Sequence, residues 1–375
     1  MSSNFTNGTH TSLREIEYQR FLDNDIPATI FLIFLSVVGT IGNIHTILVY
    51  MLSPIMVKYS VRVFIIWLAS IDLTACLFCM PFEIFDIRYD YTFASVGACR
   101  FFKFLNHIVT AASTILLTTI AFERYKTIVK KLPISIANSK RSNVISAVLV
   151  GFSMIWSIPV LVFYGLNKTE TDFFGLSGKD CRLLSKYQYI GNAGVYYIIT
   201  LVIGLVCVGV CIVSYGRILC QICTQKKWRK SLRKKPVPFF NSTSDIRLAT
   251  TKVISTIENG EVKKNQVQTE IFDRSSKKSP RSSHNLGNAT RLTISLMIAT
   301  AVSYTGHLLY VFRNIVQMLN PKMYQNSILP VSDILVRAYF INNVSNPIVF
   351  SLFDKSFRQE CLKLYGKISR RNKTG

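Results

Sequence analysis

Tyr187 to Gly216 is thirty residues without one Asp, Glu, Lys or Arg, and Asn143 to Tyr164 is twenty-two more. A soluble helix buries one apolar stripe and keeps polar residues on its other face, whereas these segments are apolar all round. Charged residues make up 17% of the chain, against roughly 25% in soluble domains, and the shortfall is concentrated in such blocks. The chain is therefore an integral membrane protein. A disordered chain, a collagen-like rod and a cytosolic enzyme are excluded.

A hydrocarbon core about 30 Å thick takes roughly 20 apolar residues of helix. Seven stretches qualify: Ile26–Leu52, Val61–Phe85, Cys99–Phe122, Asn143–Tyr164, Tyr189–Tyr215, Leu292–Phe312 and Leu329–Phe353. The fold class is an all-α membrane protein, a seven-transmembrane helix bundle; after it Phe353, Phe357, Cys361 and Leu364 fall on one helical face, which reads as a short amphipathic eighth helix. Residues 1–25 form an extracellular, glycosylated amino terminus and residues 26–353 the bundle, with a long third cytoplasmic loop at about 217–291. Residues 354–375 are the amphipathic helix and cytoplasmic tail.

Lys and Arg resist translocation and so orient the bundle. With the amino terminus outside, the cytoplasmic segments hold 32 of the 44 basic residues and the whole net charge of +24, while the outer segments nearly balance. The start, MSSNFTNGTH, shows no charged-then-apolar leader, so the first span itself directs insertion. A basic chain also invites a nucleic-acid reading. Here the charge is spread over membrane-proximal loops without a recognition fold, which fits anionic inner-leaflet lipid and an acidic cytosolic partner.

Glycosylation triplets at Asn4, Asn7 and Asn167 fall outside, and those at Asn241, Asn288, Asn343 and Asn372 fall where they are silent. Of nine cysteines, Cys99 and Cys181 sit at the outer surface. In that oxidising compartment they pair, tying the loop after the fourth span over the bundle mouth. Cys220 and Cys223 form a Cys-x-x-Cys without a second Cys or His pair, which favours lipidation or inert thiols over zinc.

Four features carry mechanism. Asp72 lies mid-membrane, where a carboxylate is costly and points to function. Glu123-Arg124-Tyr125 ends the third span, twenty-five residues after Cys99. Asn346-Pro347-Ile348-Val349-Phe350 closes the seventh, with Asn342 and Asn343 one turn above, and Gly42-Asn43 marks the first. Singly, these read as a salt bridge, a proline kink or a packing contact. In this order and spacing, with Tyr215 and the two outer cysteines, they resemble the rhodopsin-like (class A) G-protein-coupled receptors from about Ile26 to Leu364.

The resemblance implies a receptor that converts an extracellular ligand into heterotrimeric G-protein activation, with no covalent catalysis. Arg124 would be held by Glu123 at rest and supported by Tyr215 when the sixth helix moves outward. An arginine suits this because it stays charged and can exchange one set of acceptors for another. The chemistry is a population shift between two packings. Asp72 with Ser113, Asn342, Asn343 and Asn346 would line a pocket for a sodium ion, or for a water-filled network; no other cofactor is implied. Phe353, Phe357, Cys361 and Leu364 share one face of the interfacial helix, with Cys361 a palmitoylation candidate. Lys226–Lys235 reads as a basic inner-leaflet anchor, or more sharply as a calmodulin site. Serines 275, 276, 279 and 282 invite phosphorylation, and arrestin and receptor kinases join the implied partners.

The sequence also departs from the family. The sixth-helix Cys-Trp-x-Pro run stands here as Ser303-Tyr304-Thr305-Gly306, so the proline kink is missing and Tyr304 takes the place of the tryptophan switch. Cys207 occupies the fifth-helix proline position, and Val150 that of the fourth-helix tryptophan, Trp156 lying too near Pro159 to fill it. Phe350 replaces the tyrosine of the seventh-helix motif, which removes one active-state contact to Tyr215. Phe340 stands where a retinal Schiff-base lysine would, excluding an opsin, and Asn106 stands where amine receptors carry an aspartate. The mouth instead gathers Glu83, Asp86, Arg88, Asp90, Lys103, His107, Arg182, His307, Arg313, Asp333 and Arg337. A charged vestibule favours a peptide, and the Pro81-Phe82-Glu83 and Tyr91-Thr92-Phe93 surroundings resemble those of neuropeptide receptors, with a lipid or other small molecule as the alternative. A transporter or channel would show repeats or more midplane charge; a membrane enzyme would need a nucleophile–base pair or a His-rich metal set at one depth, and His45, His107 and His307 are scattered over different spans.

Overall fold

The computed structural model describes residues 12–56, 61–130, 139–170, 177–187, 191–234, 281–319, 334 and 337–371. It divides into one unit of Met1–Ile218 with Leu292–Gly375, which holds the bundle, and a second of Leu219–Arg291. Six helices among the described residues are long and apolar enough to cross a membrane. The seventh expected span is described from Arg337 onward, as a tight turn at Ala338–Phe340 leading into a helix.

The chain opens with α1 (Leu13–Arg20), where Ser12 Oγ accepts from the Glu15 backbone N–H at 3.3 Å. A wide turn over Phe21–Asp25 carries it into α2 (Ile26–Leu52). In α2 the residues Ala28, Leu32, Leu35, Gly39, Asn43, Thr46 and Val49 are buried at helical spacing, while Ile30, Phe34, Val37 and Ile41 are exposed and face lipid. Gly42 allows the seventh helix to approach: a β-carbon there would lie 2.7 Å from Pro347. Asn43 then donates to the carbonyls of Asn343 and Gly39, both at 2.9 Å.

The second span is α3 (Arg62–Thr74), a wide π turn at Ala75–Cys79, and α4 (Met80–Arg88). Such a turn resets the helical register, and below the outer surface it brings Phe82 and Glu83 inward. The central helix is α5 (Val96–Ile128), capped by Ser95. The fourth span, α6 (Ser139–Ser157), breaks at Pro159 before the short α7 (Val160–Phe163).

A β-hairpin follows, where only a loop was expected. Strands β1 (Tyr164–Glu170) and β2 (Ser177–Leu183) pair antiparallel from Tyr164 against Leu183 to Glu170 against Ser177. The Cys99–Cys181 disulfide, expected from compartment alone, fastens β2 to the top of α5. Residues of the first outer loop join it: Lys179 donates to Tyr91 O at 2.8 Å and accepts from Phe93 N at 3.1 Å. Gly178 is required at this crossing, since a β-carbon would lie 2.6 Å from the Tyr91 carbonyl.

The fifth and sixth helices are α8 (Asn192–Lys234) and α9 (Arg281–Leu319), both running past their expected spans. The seventh, α10 (Ile341–Phe353), ends where Asp354 turns extended; its Oδ1 then accepts from Ser356 N and Phe357 N to start α11 (Lys355–Arg371). That break corrects one expectation. Phe353 lies before it, out of register with α11, and is 46% exposed, while Phe357 is buried and Cys361 and Leu364 pack partly beneath it.

Candidate functional site

The candidate residues fall at four depths. At the outer mouth, Lys103 on α5 reaches back to α4, with Nζ 2.7 Å from Glu83 Oε1 and 2.9 Å from Asp86 Oδ2. Arg337 stands 3.9 Å from the other oxygen of Glu83. Asp333, four residues before it, lies outside the described residues. Two acids and two bases thus share one partly buried cluster, where each pairing is worth more than at an open surface.

One turn deeper, Asn106 donates to the Tyr339 hydroxyl at 2.7 Å. The neighbouring His107 is buried among the rings of Tyr164, Tyr196, Tyr197 and Tyr310, with Nε2 2.9 Å from the Tyr310 hydroxyl. His307 is buried on α9, close against Gly204 of α8. Arg182 pairs within its own strand with Asp180. Burial pushes the Asp180 carboxyl up to about 6, Arg182 opposing the rise. Arg313 lies on α9 with its side chain outside the described ones.

At mid-membrane Asp72 is fully buried and accepts three hydrogen bonds: from Ser113 Oγ at 2.8 Å, Asn343 Nδ2 at 2.9 Å and Asn346 Nδ2 at 2.7 Å. Asn342 is not brought into this set; its carbonyl accepts from Ser345. Protein donors thus satisfy the carboxylate directly. The set fits a cation in composition, one charge with the buried Asn346 Oδ1, an oxygen without a hydrogen-bond partner among the described residues. As arranged, both asparagines present N–H to the carboxylate, and a sodium ion would need those amides turned.

At the inner end Arg124 is 3% exposed on α5, the helix that also supplies Leu116, Leu117 and Ile120 to a buried cluster with Tyr50, Phe350 and Phe357. Glu123 takes a partner other than the one expected: its carboxylate is 2.6 Å from Lys126 Nζ, one turn along the same helix. Spacing explains this, because residues three apart share a helix face and successive residues do not. Tyr125 lies beside Phe122. Tyr215 bonds Thr300 Oγ1 at 3.1 Å, linking α8 to α9. Tyr304 links α9 to α5: its hydroxyl meets Thr118 Oγ1 and donates to the Thr114 carbonyl at 3.1 Å.

Two modification candidates change. Asn167 is buried in the hairpin, its Nδ2 donating to Leu183 O at 2.6 Å and its Oδ1 accepting from Ser185, so the nitrogen that would carry a sugar is enclosed. Asn4 and Asn7 lie outside the described residues, as do Ser275, Ser276 and Ser279. Cys361 is half-buried against the bundle.

Sequence reasoning missed Glu17, Tyr197, Tyr310, Tyr339 and Thr300. Glu17 is buried and accepts from Tyr91 N, Thr92 N and Thr92 Oγ1 at 2.8–2.9 Å, seating α1 on the first outer loop. A signal existed: Ser12-Leu13-Arg14-Glu15 has the spacing of a helix-opening capping box. The tyrosines had none, being apolar-span aromatics like many others.

Comparison with known proteins agrees with this geometry. The 7 transmembrane receptor (rhodopsin family) pattern matches residues 42–350. Human neuromedin-U receptor 2 is 30% identical over 145 residues, 38% of this chain and 34% of that receptor. Mouse 5-hydroxytryptamine receptor 2B is 21% identical over 347 residues, 88% of this chain and 69% of that one. The Drosophila melanogaster neuropeptide F receptor is 30% identical over 139 residues, 36% and 28% of the two chains. The chain spans about a third of the length of the human neuromedin-U receptor. The match from Gly42 to Phe350 covers every transmembrane landmark described above, and the chain belongs to the rhodopsin family of seven-transmembrane receptors.

Proposed function

We propose that the chain is a plasma-membrane receptor, amino terminus outside and carboxyl terminus in the cytosol, that converts binding of an extracellular peptide into activation of a heterotrimeric G protein. The observation that carries this reading is the burial of Arg124, 3% exposed near the inner end of α5. A permanently charged guanidinium is costly to bury, and a rearrangement that uncovers it creates a basic docking point for an acidic or carbonyl-rich partner.

The peptide class rests on the mouth. Lys103, Glu83, Asp86 and Arg337 offer both signs of charge at short range, which suits a ligand with several polar groups better than a lipid. Asn106 is neutral and already donates to Tyr339, so this depth lacks the carboxylate that the resemblance leads one to expect of an amine receptor. The neuromedin-U and neuropeptide F relatives favour the same class.

In mechanism, ligand groups would compete for Lys103 and for the His107 cage, and the α5–α9 link at Tyr304 would transmit the change. Asp72, Ser113, Asn343 and Asn346 lie between the two ends, and an ion bound there would supply a positive charge opposing Asp72. Glycans on Asn4 and Asn7, and cytosolic kinases and arrestin acting on the third loop, complete the proposed partners. The test is a peptide library applied to cells expressing the chain, reading calcium and cyclic AMP separately. A response that is lost when the G proteins are inactivated supports the reading. Ion current or solute uptake independent of G protein would overturn it.

A further inference from the structure

Acyl acceptance requires a thiol that is accessible, close to the inner membrane boundary and free to present its thiolate. Cys361, the candidate read from the sequence, meets these requirements poorly. It packs against the cluster that holds Tyr50, Phe350 and Phe357, and burial raises its thiol.

Cys220 and Cys223 differ. Both are exposed on α8. The charge-free part of that helix ends at Gly216, exposed Arg217 follows it, and Lys226 and Lys227 come after the two cysteines. At 3.6 residues per turn, Leu219, Cys220, Cys223 and Lys227 fall on one face. Leu219 is 40% exposed and Lys227 is exposed with it. An exposed leucine and two exposed thiols lie between Arg217 and the Lys226-Lys227 pair, and basic residues on both sides of them mark the headgroup level of an inner leaflet. An acyl chain attached there can fold back into the hydrocarbon while the lysines meet anionic headgroups. A Cys-x-x-Cys pair binds zinc with a second ligand pair, and the described residues hold no cluster of three or more His, Cys, Asp or Glu placed for a metal.

We propose that Cys220 and Cys223 are a paired S-acylation site that anchors the inner end of the fifth helix. Each thiolate attacks the carbonyl of a long-chain acyl–coenzyme A thioester. A new thioester forms on the cysteine, the bond to coenzyme A breaks, and coenzyme A leaves as the thiol carrying the proton that the cysteine lost. No oxidant or reductant takes part. The inference uses the inward orientation of the proposed function but not its ligand or its G protein.

The test uses the full chain expressed in animal cells. Existing thiols are blocked, thioesters are cleaved with hydroxylamine, and the released thiols are tagged with a polyethylene-glycol maleimide. The wild-type chain should carry two hydroxylamine-dependent mass additions. Cys220→Ser and Cys223→Ser should each retain one, the double variant none, and Cys361→Ser both. No hydroxylamine-dependent addition in the wild type, or additions that survive in the double variant and vanish with Cys361→Ser, would overturn the proposal. In parallel, a membrane-impermeant maleimide applied to intact cells reports orientation. Labelling of Cys220 and Cys223 from outside would overturn both this proposal and the inward orientation. Their protection with no acyl addition would overturn this proposal alone.

Discussion

The two ends of the bundle are held by different kinds of force. The outer end is pinned by a disulfide, a hairpin and direct ion pairs: Cys99 to Cys181, Lys103 to Glu83 and Asp86, and Arg20 to Asp90 at 2.8 Å. The inner end rests on Tyr50, Leu116, Leu117, Ile120, Phe350 and Phe357, with the Tyr215 hydroxyl crossing from α8 to α9 and the Tyr304 hydroxyl joining α9 to α5 nearer mid-membrane. Apolar contacts are non-directional and can be exchanged for similar ones, whereas ion pairs and covalent bonds specify one geometry. The contrast teaches where motion is cheap: the outer end keeps a shaped mouth, and the inner end can repack.

The most severe way to break this contrast is to remove the outer staple. Cys99→Ser should abolish surface expression or agonist response, measured by antibody labelling of intact cells and by calcium release; a normal variant would mean the outer end is not pinned as described. Next, Lys103→Ala leaves Glu83 and Asp86 facing each other without their shared cation. Agonist potency should fall more than about tenfold, as expected for loss of a partly buried charge pairing, at unchanged surface level. A rise in basal signalling instead would move the switch to the mouth.

Smaller again is Tyr304→Phe, which deletes the hydroxyl joining α9 to α5. On the proposed function a covered Arg124 marks the resting packing, to which the link would then belong. Losing about 1 kcal/mol of hydrogen bonding shifts the balance about fivefold, so basal nucleotide exchange should rise by that order in membranes without agonist. The smallest effect is at Asn167. Its enclosed nitrogen should carry no sugar, so Asn167→Gln should leave the glycosidase-sensitive gel shift unchanged, whereas a lost shift would show the hairpin open when it is modified.

Much of this was legible in the sequence for a physical reason. Membrane helices must be apolar all round, so the first span was readable to its ends, Ile26 and Leu52. Charge asymmetry and compartment gave the orientation expectation and the Cys99–Cys181 bridge. The hairpin was not legible, because Tyr164–Glu170 and Ser177–Leu183 lack alternating apolar residues and their pairing depends on a distant cysteine. The π turn at Ala75–Cys79 left no mark either, since Ala-Cys-Leu-Phe-Cys suits an ordinary helix equally well. Candidate site residues were recognised singly, but their partners were not. Lys103 was read as a rim charge and is the centre of a cluster, and Glu123 was assigned to Arg124 and lies against Lys126. Pairing depends on register between helices, which a single sequence does not encode locally.

The central claim is that an outside ligand uncovers Arg124 for a cytosolic heterotrimer. The direct measurement is agonist-driven guanine-nucleotide exchange on a purified heterotrimer, with wild-type chain and Arg124→Ala reconstituted side by side in lipid discs. The account predicts accelerated exchange with the wild type and none with the variant, at comparable agonist binding. Equal acceleration by both proteins would contradict it.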